Sequence, residues 1–202
     1  MNYLAHAFLA QPNIYSLTGN LLGDFCKGII IGQLHPAIQA GLHNHRATDR
    51  FTDHHPMVKE ARQLFSAGRK RFAGVALDVL FDHYLIQHWH RYSDIPFSEY
   101  KANLYRHLDL ALTLMPADMA KTISSLLRHD WLQSYQQLSN VSKVLDRIAS
   151  TIRFEHHFYG IGDEIAFHYS QLEQVFLCFF PELQQHILQL NLEAPGSSTN
   201  IK

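Results

Sequence analysis

The stretch Val75–Tyr92, VALDVLFDHYLIQHWHRY, decides the fold. Its apolar residues are spread almost all the way around a helix, which is typical of a helix buried on every side. The same stretch carries Asp78, Asp82 and His83, and an aspartate is almost never fully buried without a partner. We therefore expect these side chains either to pair with groups elsewhere in the chain or to hold a metal ion.

Helical periodicity extends outward from this stretch in both directions, and no segment shows the sustained alternation of a strand. Pro36 suits the first turn of a helix that runs to about His54, and Pro181 is expected to begin a new one. The sequence predicts a single all-α domain of about ten helices over residues 1–191. The small, polar residues 192–202 are expected to form a disordered tail.

The overall charge excludes several classes of protein. Lys and Arg number 17 and Asp and Glu 18, so the formal net charge of −1 indicates no general affinity for nucleic acid or for an anionic membrane. No apolar run approaches the ~20 residues that a membrane span needs, and the first residues do not resemble a signal peptide. Cys26 and Cys178 are expected to be buried free thiols. These features predict a cytoplasmic protein.

Three segments before the opening stretch carry groups that suit a metal site. His45, Asp49 and Asp53 recur at four-residue intervals and therefore share one face of a helix, although a solvated face paired with arginines explains the row equally well. His6 alone is more often a hydrogen-bonded core residue than a ligand. Asp24 is harder to dismiss, because an unpaired carboxylate in its apolar segment would be costly.

The residue types limit the chemistry. Carboxylate and imidazole groups without a thiolate favour a hard divalent ion such as Mn²⁺ or Mg²⁺. The sequence contains no HExxH motif, no paired Glu-x-x-His, no phosphate-binding glycine loop and no GxSxG elbow. Metal-assisted hydrolysis is the class that remains.

Four stretches together resemble the acyl carrier protein phosphodiesterase family in order and spacing. They are MNYLAHAFLA (1–10), SLTGNLLGDFCKG (16–28), GLHNHRATDRFTDHHP (41–56) and LDVLFDHYLIQHWH (77–90). The resemblance covers residues 1 to about 185. It implies an all-helical fold similar to the HD-domain phosphohydrolases, with a metal centre. It also implies hydrolysis of the phosphodiester between 4′-phosphopantetheine and a serine of acyl carrier protein, with Mn²⁺ or Mg²⁺ as cofactor.

The resemblance also implies which residues form the site. The acidic and histidine positions of the family motifs are occupied here by His6, Asp24, His43, His45, Asp49, Asp53, Asp78, Asp82 and His83. The Asp82-His83 dyad has the reverse of the His-Asp order that names the HD superfamily.

We expect the metal ligands to be His6, Asp24, Asp82 and His83. His45 and Asp49 would orient water or the leaving oxygen. Asp78 would be a further ligand or a partner of one, and Arg46 would contact the phosphate.

The expected substrate, acyl carrier protein, is acidic and requires a basic surface on the enzyme. The densest basic cluster consists of Arg62, Arg69, Lys70 and Arg71, although a solvated surface turn explains it equally well. Two other functions stay open. One is an HD-like phosphohydrolase acting on a small nucleotide or cofactor, and the other is a non-catalytic helical module.

Overall fold

The computed structural model describes residues 1–194. Over those residues the chain forms eleven α-helices, joined by turns and short 3₁₀ segments, and no strand, which confirms the predicted all-α fold. The helices are α1 (Tyr3–Phe8), α2 (Ile14–Leu22), α3 (Pro36–His54), α4 (Pro56–Ala61), α5 (Ala73–Gln87), α6 (Phe97–Ala111), α7 (Ala117–Arg128), α8 (Trp131–Ser134), α9 (Leu138–Ser150), α10 (Ile161–Phe167) and α11 (Tyr169–Leu190).

Helix α5 forms the centre of the domain. Every residue from Val79 to Ile86 is buried, and α1, α9 and α11 pack around it. A helix covered on all sides buries apolar surface around its whole circumference. Each Å² of that surface removed from water stabilises the fold by about 25 cal/mol. The nearly continuous apolar surface of the opening stretch is therefore explained by its central position.

The helix is shorter than the sequence predicted. It ends at Gln87, because His88 adopts φ −105° and ψ 20°, and a 3₁₀ turn over Trp89–Arg91 follows. The indole N–H of Trp89 donates to the carbonyl oxygen of Ile95. This bond and the burial of the Trp89 ring hold the chain in the turn, so the expected extension to Tyr92 is wrong.

Helices α2 and α3 approach each other closely because of two glycines. A Cβ on Gly19 would lie 2.2 Å from the carbonyl oxygen of Ile38, and one on Gly41 would lie 2.6 Å from the carbonyl oxygen of Ser16. Neither position accepts a side chain at this separation. The close contact places Asn20 of α2 directly against α3, beside His45.

The expected break at Pro181 is wrong. Helix α11 continues through Pro181 to Leu190, and the break falls earlier, at His168, between α10 and α11. Phe179 and Phe180 before the proline and Leu183 after it are all fully buried. Packing on both sides of Pro181 therefore outweighs the loss of one helical hydrogen bond.

The C-terminal region is only partly described. The predicted tail, 192–202, lies outside the described residues from position 195 onward. Before that point, the Glu193 side chain accepts hydrogen bonds from the Ser16 hydroxyl and from the Asn20 amide on α2. Within residues 1–194, no helix has both the length and the apolar character needed to cross a bilayer.

Candidate metal centre

Three side chains from two helices meet at one point. His6 on α1 and His45 and Asp49 on α3 each direct a potential ligand atom into a space where these atoms lie within 4.8 Å of one another. Asp49 Oδ1 is 3.2 Å from His6 Nε2, and Asp49 Oδ2 is 3.0 Å from His45 Nε2. Among the described residues, this is the one group of His, Cys, Asp and Glu side chains close enough to share a metal ion.

His6 has unsatisfied polar atoms. Its side chain is only 2% exposed, and neither ring nitrogen makes a hydrogen bond, because the Asp49 contact is misaligned for one. Burial lowers the pKa of His6 to about 3, against the opposing effect of Asp49. The ring is therefore neutral near pH 7, which is the form that binds metals. A buried imidazole without partners normally costs stability, so it indicates a ligand.

His45 is held in one tautomer. Its Nδ1 lies 2.8 Å from the carbonyl oxygen of Asn20, which can only accept, so Nδ1 carries the proton. In the neutral ring, the lone pair is then on Nε2, the atom that faces Asp49. A backbone carbonyl that orients a histidine in this way is a common feature of metal sites. The His6 ring stacks on the His45 ring with centroids 3.9 Å apart, so both donors face the same side.

Asp49 is surrounded by positive or proton-bearing groups. Burial alone would raise its pKa, but contacts with His45 and His6 and the nearby Met1 amino group hold it well below its usual range. Burial alone would lower the pKa of His45, but the hydrogen bond and the charge of Asp49 raise it. Asp49 is thus ionised, and its side chain stays 37% exposed, which leaves the centre open to solvent.

Two more carboxylates border the three-residue group. The Met1 amino group lies 3.0 Å from Asp78 Oδ1 and 3.3 Å from Asp49 Oδ1, so both acids face one positive charge. The Asp24 side chain is open to solvent on one side, while the surrounding protein removes part of its hydration and raises its pKa. His45 opposes that shift, and Asp49 and Asp78 add to it. Asp24 therefore belongs to the same electrostatic environment.

Gly23 makes this arrangement possible. A Cβ at position 23 would lie only 1.9 Å from His45 Nε2, inside the imidazole ring. The chain from α2 to Asp24 therefore passes in contact with the His45 ring only because residue 23 has no side chain.

The structure does not bring Asp82 into this group. Its side chain is fully buried, Oδ2 accepts the N–H of Leu4, and Oδ1 accepts the N–H of Ala5, each at 3.0 Å. Those N–H groups belong to the first turn of α1 and have no partner within the helix. Asp82, on α5, therefore caps the N-terminus of α1 although the two are far apart in the sequence. Burial raises its pKa to about 7, although the two N–H groups oppose the shift.

His83 is separated from the group as well. Its Nδ1 donates to the carbonyl oxygen of Tyr135 at 2.6 Å, and its Nε2 lies 2.9 Å from the Tyr169 hydroxyl. Both ring nitrogens of His83 therefore have hydrogen-bond partners within the protein, whereas those of His6 have none. The contacts of Asp82 and His83 give no support to the expected role of this dyad as metal ligands.

The other residues singled out in the sequence lie at the rim or elsewhere. Arg46 is exposed one position after His45 and makes no ion pair with any residue in 1–194. Asp53 continues the row on α3 but pairs with Arg62 instead of entering the centre. His43 is half-buried on α3, outside the three-residue group.

Half of the expected basic cluster is occupied by structural contacts. Arg62 pairs with Asp53, and Arg69 pairs with Glu164 while donating to the carbonyl oxygens of His157 and Tyr159. Lys70 and Arg71 remain exposed, with the Arg71 guanidinium 4.6 Å from the centroid of the Phe154 ring.

The sequence reasoning missed Asn20 as a residue that orients His45. The contact is made by its backbone carbonyl, so the side-chain identity carries no signal of it. Its side chain accepts a hydrogen bond from Asn44 at 2.9 Å, and this second contact joins α2 to α3 beside His45. The buried asparagine pair, one residue after Gly19 and three residues after Gly41, was not recognisable from the pattern.

Comparison with known proteins agrees with the predicted resemblance. A sequence model described as acyl carrier protein phosphodiesterase matches residues 1–183. This chain belongs to the acyl carrier protein phosphodiesterase family. Proteins of that name from Yersinia enterocolitica and Yersinia pestis are 37% and 36% identical to it, over 91% and 92% of the chain and 95% and 96% of their own lengths. One from Escherichia coli O157:H7 is 34% identical, over 91% of this chain and 95% of its own.

No solved structure matches this member of the acyl carrier protein phosphodiesterase family. The all-α fold is therefore established by the helices themselves. The expected similarity to HD-domain proteins stays a prediction.

Proposed function

We propose that this protein is a metal-dependent phosphodiesterase that releases 4′-phosphopantetheine from holo-acyl carrier protein. The observation that carries the proposal is the His6–His45–Asp49 group, which lies in a chain of the acyl carrier protein phosphodiesterase family. The reaction splits the phosphodiester between the prosthetic group and a serine of the carrier protein of fatty acid synthesis. Its products are apo-acyl carrier protein and 4′-phosphopantetheine.

The residues fit a divalent metal ion. A buried neutral imidazole whose nitrogens lack hydrogen bonds, a second imidazole whose Nε2 faces the same space, and an ionised carboxylate form one donor set. His6 and His45 would bind through Nε2 and Asp49 through its oxygens. Two imidazoles favour Mn²⁺ over Mg²⁺, because Mg²⁺ prefers oxygen ligands. A bound divalent ion supplies a water of lowered pKa and neutralises charge on the phosphoryl oxygens.

The remaining residues position the reactants. Asn20 holds the His45 tautomer, and Asp24 keeps its predicted role as a further donor at the open side of the centre. Asp78, which contacts the Met1 ammonium at the border of the centre, would be a further ligand or a partner of one. Arg46 lies on the exposed side of α3, where its guanidinium would contact the phosphate by two parallel hydrogen bonds. Asp82 and His83 have no part in this assignment, because their polar atoms already have partners.

The carrier protein docks through surface cations in this proposal. Of the four basic residues singled out in the sequence, Lys70 and Arg71 are exposed and available, whereas Arg62 and Arg69 are engaged within the protein. Steering by Lys70 and Arg71 would weaken as salt screens it over a Debye length of about 10 Å at 0.1 M. Reversing both charges should raise the KM at low salt and leave it unchanged at high salt. The cytoplasmic location of the reaction stays a prediction.

The deciding experiment incubates holo-acyl carrier protein with the purified protein and Mn²⁺ and follows the mass of the carrier protein. We expect loss of the whole 4′-phosphopantetheine group, suppression by a chelator and recovery when Mn²⁺ is restored. An unchanged carrier protein, with hydrolysis of small phosphodiesters under the same conditions, would favour the small-molecule phosphohydrolase. If Mn²⁺ neither binds nor stabilises the fold, the non-catalytic module is favoured.

A further inference from the structure

A cavity of about 460 Å³ opens between the start of α1, α5, α8 and α9. Its volume falls in the range of roughly 300–1,000 Å³ that is usual for small-molecule sites. Its walls include Asn2, which precedes α1, and Tyr3, the first residue of α1. Trp131 on α8 and Val144 and Arg147 on α9 complete this part of the lining.

The cavity adjoins the candidate metal centre. Asn2 and Tyr3 directly follow Met1, whose amino group contacts Asp49 and Asp78. On the other side, the wall residue Val79 directly follows Asp78 in α5. The cavity and the candidate centre therefore border the same residues at the start of the chain and on α5.

The walls combine apolar surface with a hydrogen-bond donor that lacks an acceptor. Val79, Val144 and Ile148 are apolar, and the rings of Tyr3 and Trp131 lie 6.1 Å apart, centroid to centroid. The Trp131 indole N–H is buried and makes no hydrogen bond with any residue in the described part of the chain. A buried donor without a partner costs about 1–3 kcal/mol, so an acceptor on a bound molecule, such as a carbonyl oxygen, would be stabilised at this position.

The rim of the cavity is positively charged. Lys143 and Arg147 lie four residues apart on α9, both exposed, and none of the described residues that line the cavity is acidic. Arg147 makes no ion pair within residues 1–194. This charge favours an anionic ligand or the acidic surface of a protein that carries the ligand.

We propose that this cavity binds the pantetheine arm of holo-acyl carrier protein. The arm is a flexible chain with two amides and a dimethyl-substituted carbon. It therefore matches a site with apolar walls, an unpaired indole donor and the Asn140 amide at its edge. The phosphate end lies at the metal centre, and an arm carbonyl accepts from Trp131. The inference rests on the proposed function, because it takes its ligand from the proposed substrate.

The test measures binding of free 4′-phosphopantetheine by calorimetry, separately from hydrolysis of holo-acyl carrier protein. Val144→Trp fills the cavity and should abolish binding of the free compound and raise the KM for the carrier protein at least tenfold. Trp131→Phe keeps the ring and removes only the donor, and it should weaken binding three- to tenfold. Leu110→Trp, at an exposed position of α6, is the matched control and should bind as the wild type does.

The outcomes separate the cavity from the reaction. If Val144→Trp folds, keeps its stabilisation by Mn²⁺ and binds 4′-phosphopantetheine as tightly as the wild type, the cavity assignment is overturned. The assignment is also overturned if Val144→Trp raises the KM for the carrier protein but binds free 4′-phosphopantetheine normally. The region around Val144 would then contact the carrier protein and not the arm. If the wild type binds the compound and Val144→Trp does not, the assignment stands even where no hydrolysis is seen, and only the proposed function fails. Trp131→Phe decides the question if Val144→Trp does not fold.

Discussion

Two Asp–His pairs, His45/Asp49 on α3 and Asp82/His83 on α5, are similar in composition and differ in what their polar atoms contact. In the α3 pair, His45 Nε2 and both Asp49 oxygens face a shared, partly exposed space together with His6. In the α5 pair, both oxygens and both nitrogens are occupied by Leu4, Ala5, Tyr135 and Tyr169. The comparison shows that a polar pair becomes a candidate ligand set when its atoms meet other ionisable groups at a partly exposed point, and not when each atom is bonded to a fixed partner in the core.

Exchanging Asp49 for Asn should have the largest effect. The amide keeps the size of the side chain and removes the charge that holds a cation between His6 and His45. A catalytic metal contributes several kcal/mol of transition-state stabilisation, so turnover should fall roughly a thousandfold. Mn²⁺ should no longer raise the melting temperature. Hydrolysis of holo-acyl carrier protein and thermal unfolding with and without Mn²⁺ measure the two effects.

Asp53→Asn is the matched control, one turn further along the same helix. Asp53 pairs with Arg62 at the surface, and surface substitutions usually change free energies by no more than about 0.5 kcal/mol, or roughly twofold. Suppose instead that Asp49→Asn stays active and stabilised by Mn²⁺, while Asp82→Asn loses both properties. The α5 pair would then be the metal site, as the sequence analysis expected.

Exchanging Asp82 for Ala should affect folding more than chemistry. The N–H groups of Leu4 and Ala5 would lose their acceptor inside the protein, at a cost of about 1–3 kcal/mol each. We expect the free energy of unfolding, measured in urea, to fall by about 3 kcal/mol. Asp118→Ala, which removes an exposed acid from the first turn of α7, should cost less than about 1 kcal/mol. Equal losses in the two variants would show that Asp82 does not cap α1.

The sequence predicted much of the fold because the fold follows from local patterns. The limits of α3 at Pro36 and His54 are correct, since proline suits a first helical turn and Pro56 prevents continuation. The errors at His88 and Pro181 arise where tertiary packing outweighs local preference, as with the buried ring of Trp89 and the phenylalanines around Pro181.

The site was predicted less completely, because a sequence records residue types and not their partners. Three of the residues singled out in the sequence, His6, His45 and Asp49, meet at one point, and Asp24 and Asp78 border it. The ranking of ligands depended on contacts that no pattern encodes. The backbone N–H groups that occupy Asp82 and the backbone carbonyl that orients His45 belong to residues of any type.

Exchanging Gly23 for Ala should disturb the α3 pair without replacing any of the proposed ligands. The new methyl group would lie 1.9 Å from His45 Nε2, so the ring must turn away from Asp49 or from the Asn20 carbonyl. Losing such an orienting contact typically reduces metal affinity 10–100-fold. Titration with Mn²⁺, followed by thermal stability, measures the effect. Gly32→Ala adds a methyl group in open space and should bind Mn²⁺ normally. If the two variants bind Mn²⁺ equally, His45 is not a ligand.

The two acids should also respond to pH in opposite directions. Burial, opposed by the Leu4 and Ala5 N–H groups, raises the pKa of Asp82 to about 7, against about 3.9 in an unfolded chain. Its contribution to stability is therefore complete below about pH 4 and is lost as the pH rises to 7. The pKa of Asp49 is lowered, so its contribution is present above about pH 4 and is lost only in stronger acid.

Urea unfolding between pH 4.5 and 8 isolates the Asp82 contribution when the wild type is compared with Asp82→Asn. The amide stays uncharged throughout, and the histidines that titrate in this range are common to both proteins. The stability of the wild type relative to the variant should fall as the pH rises from 4.5 to 7, by at most about 1.4 kcal/mol per pH unit, and then level off. Parallel curves would show that Asp82 is ionised in the folded protein from pH 4.5 upward. The buried dyad would then hold a negative charge at neutral pH, which is the property expected of a metal ligand and not of an uncharged cap.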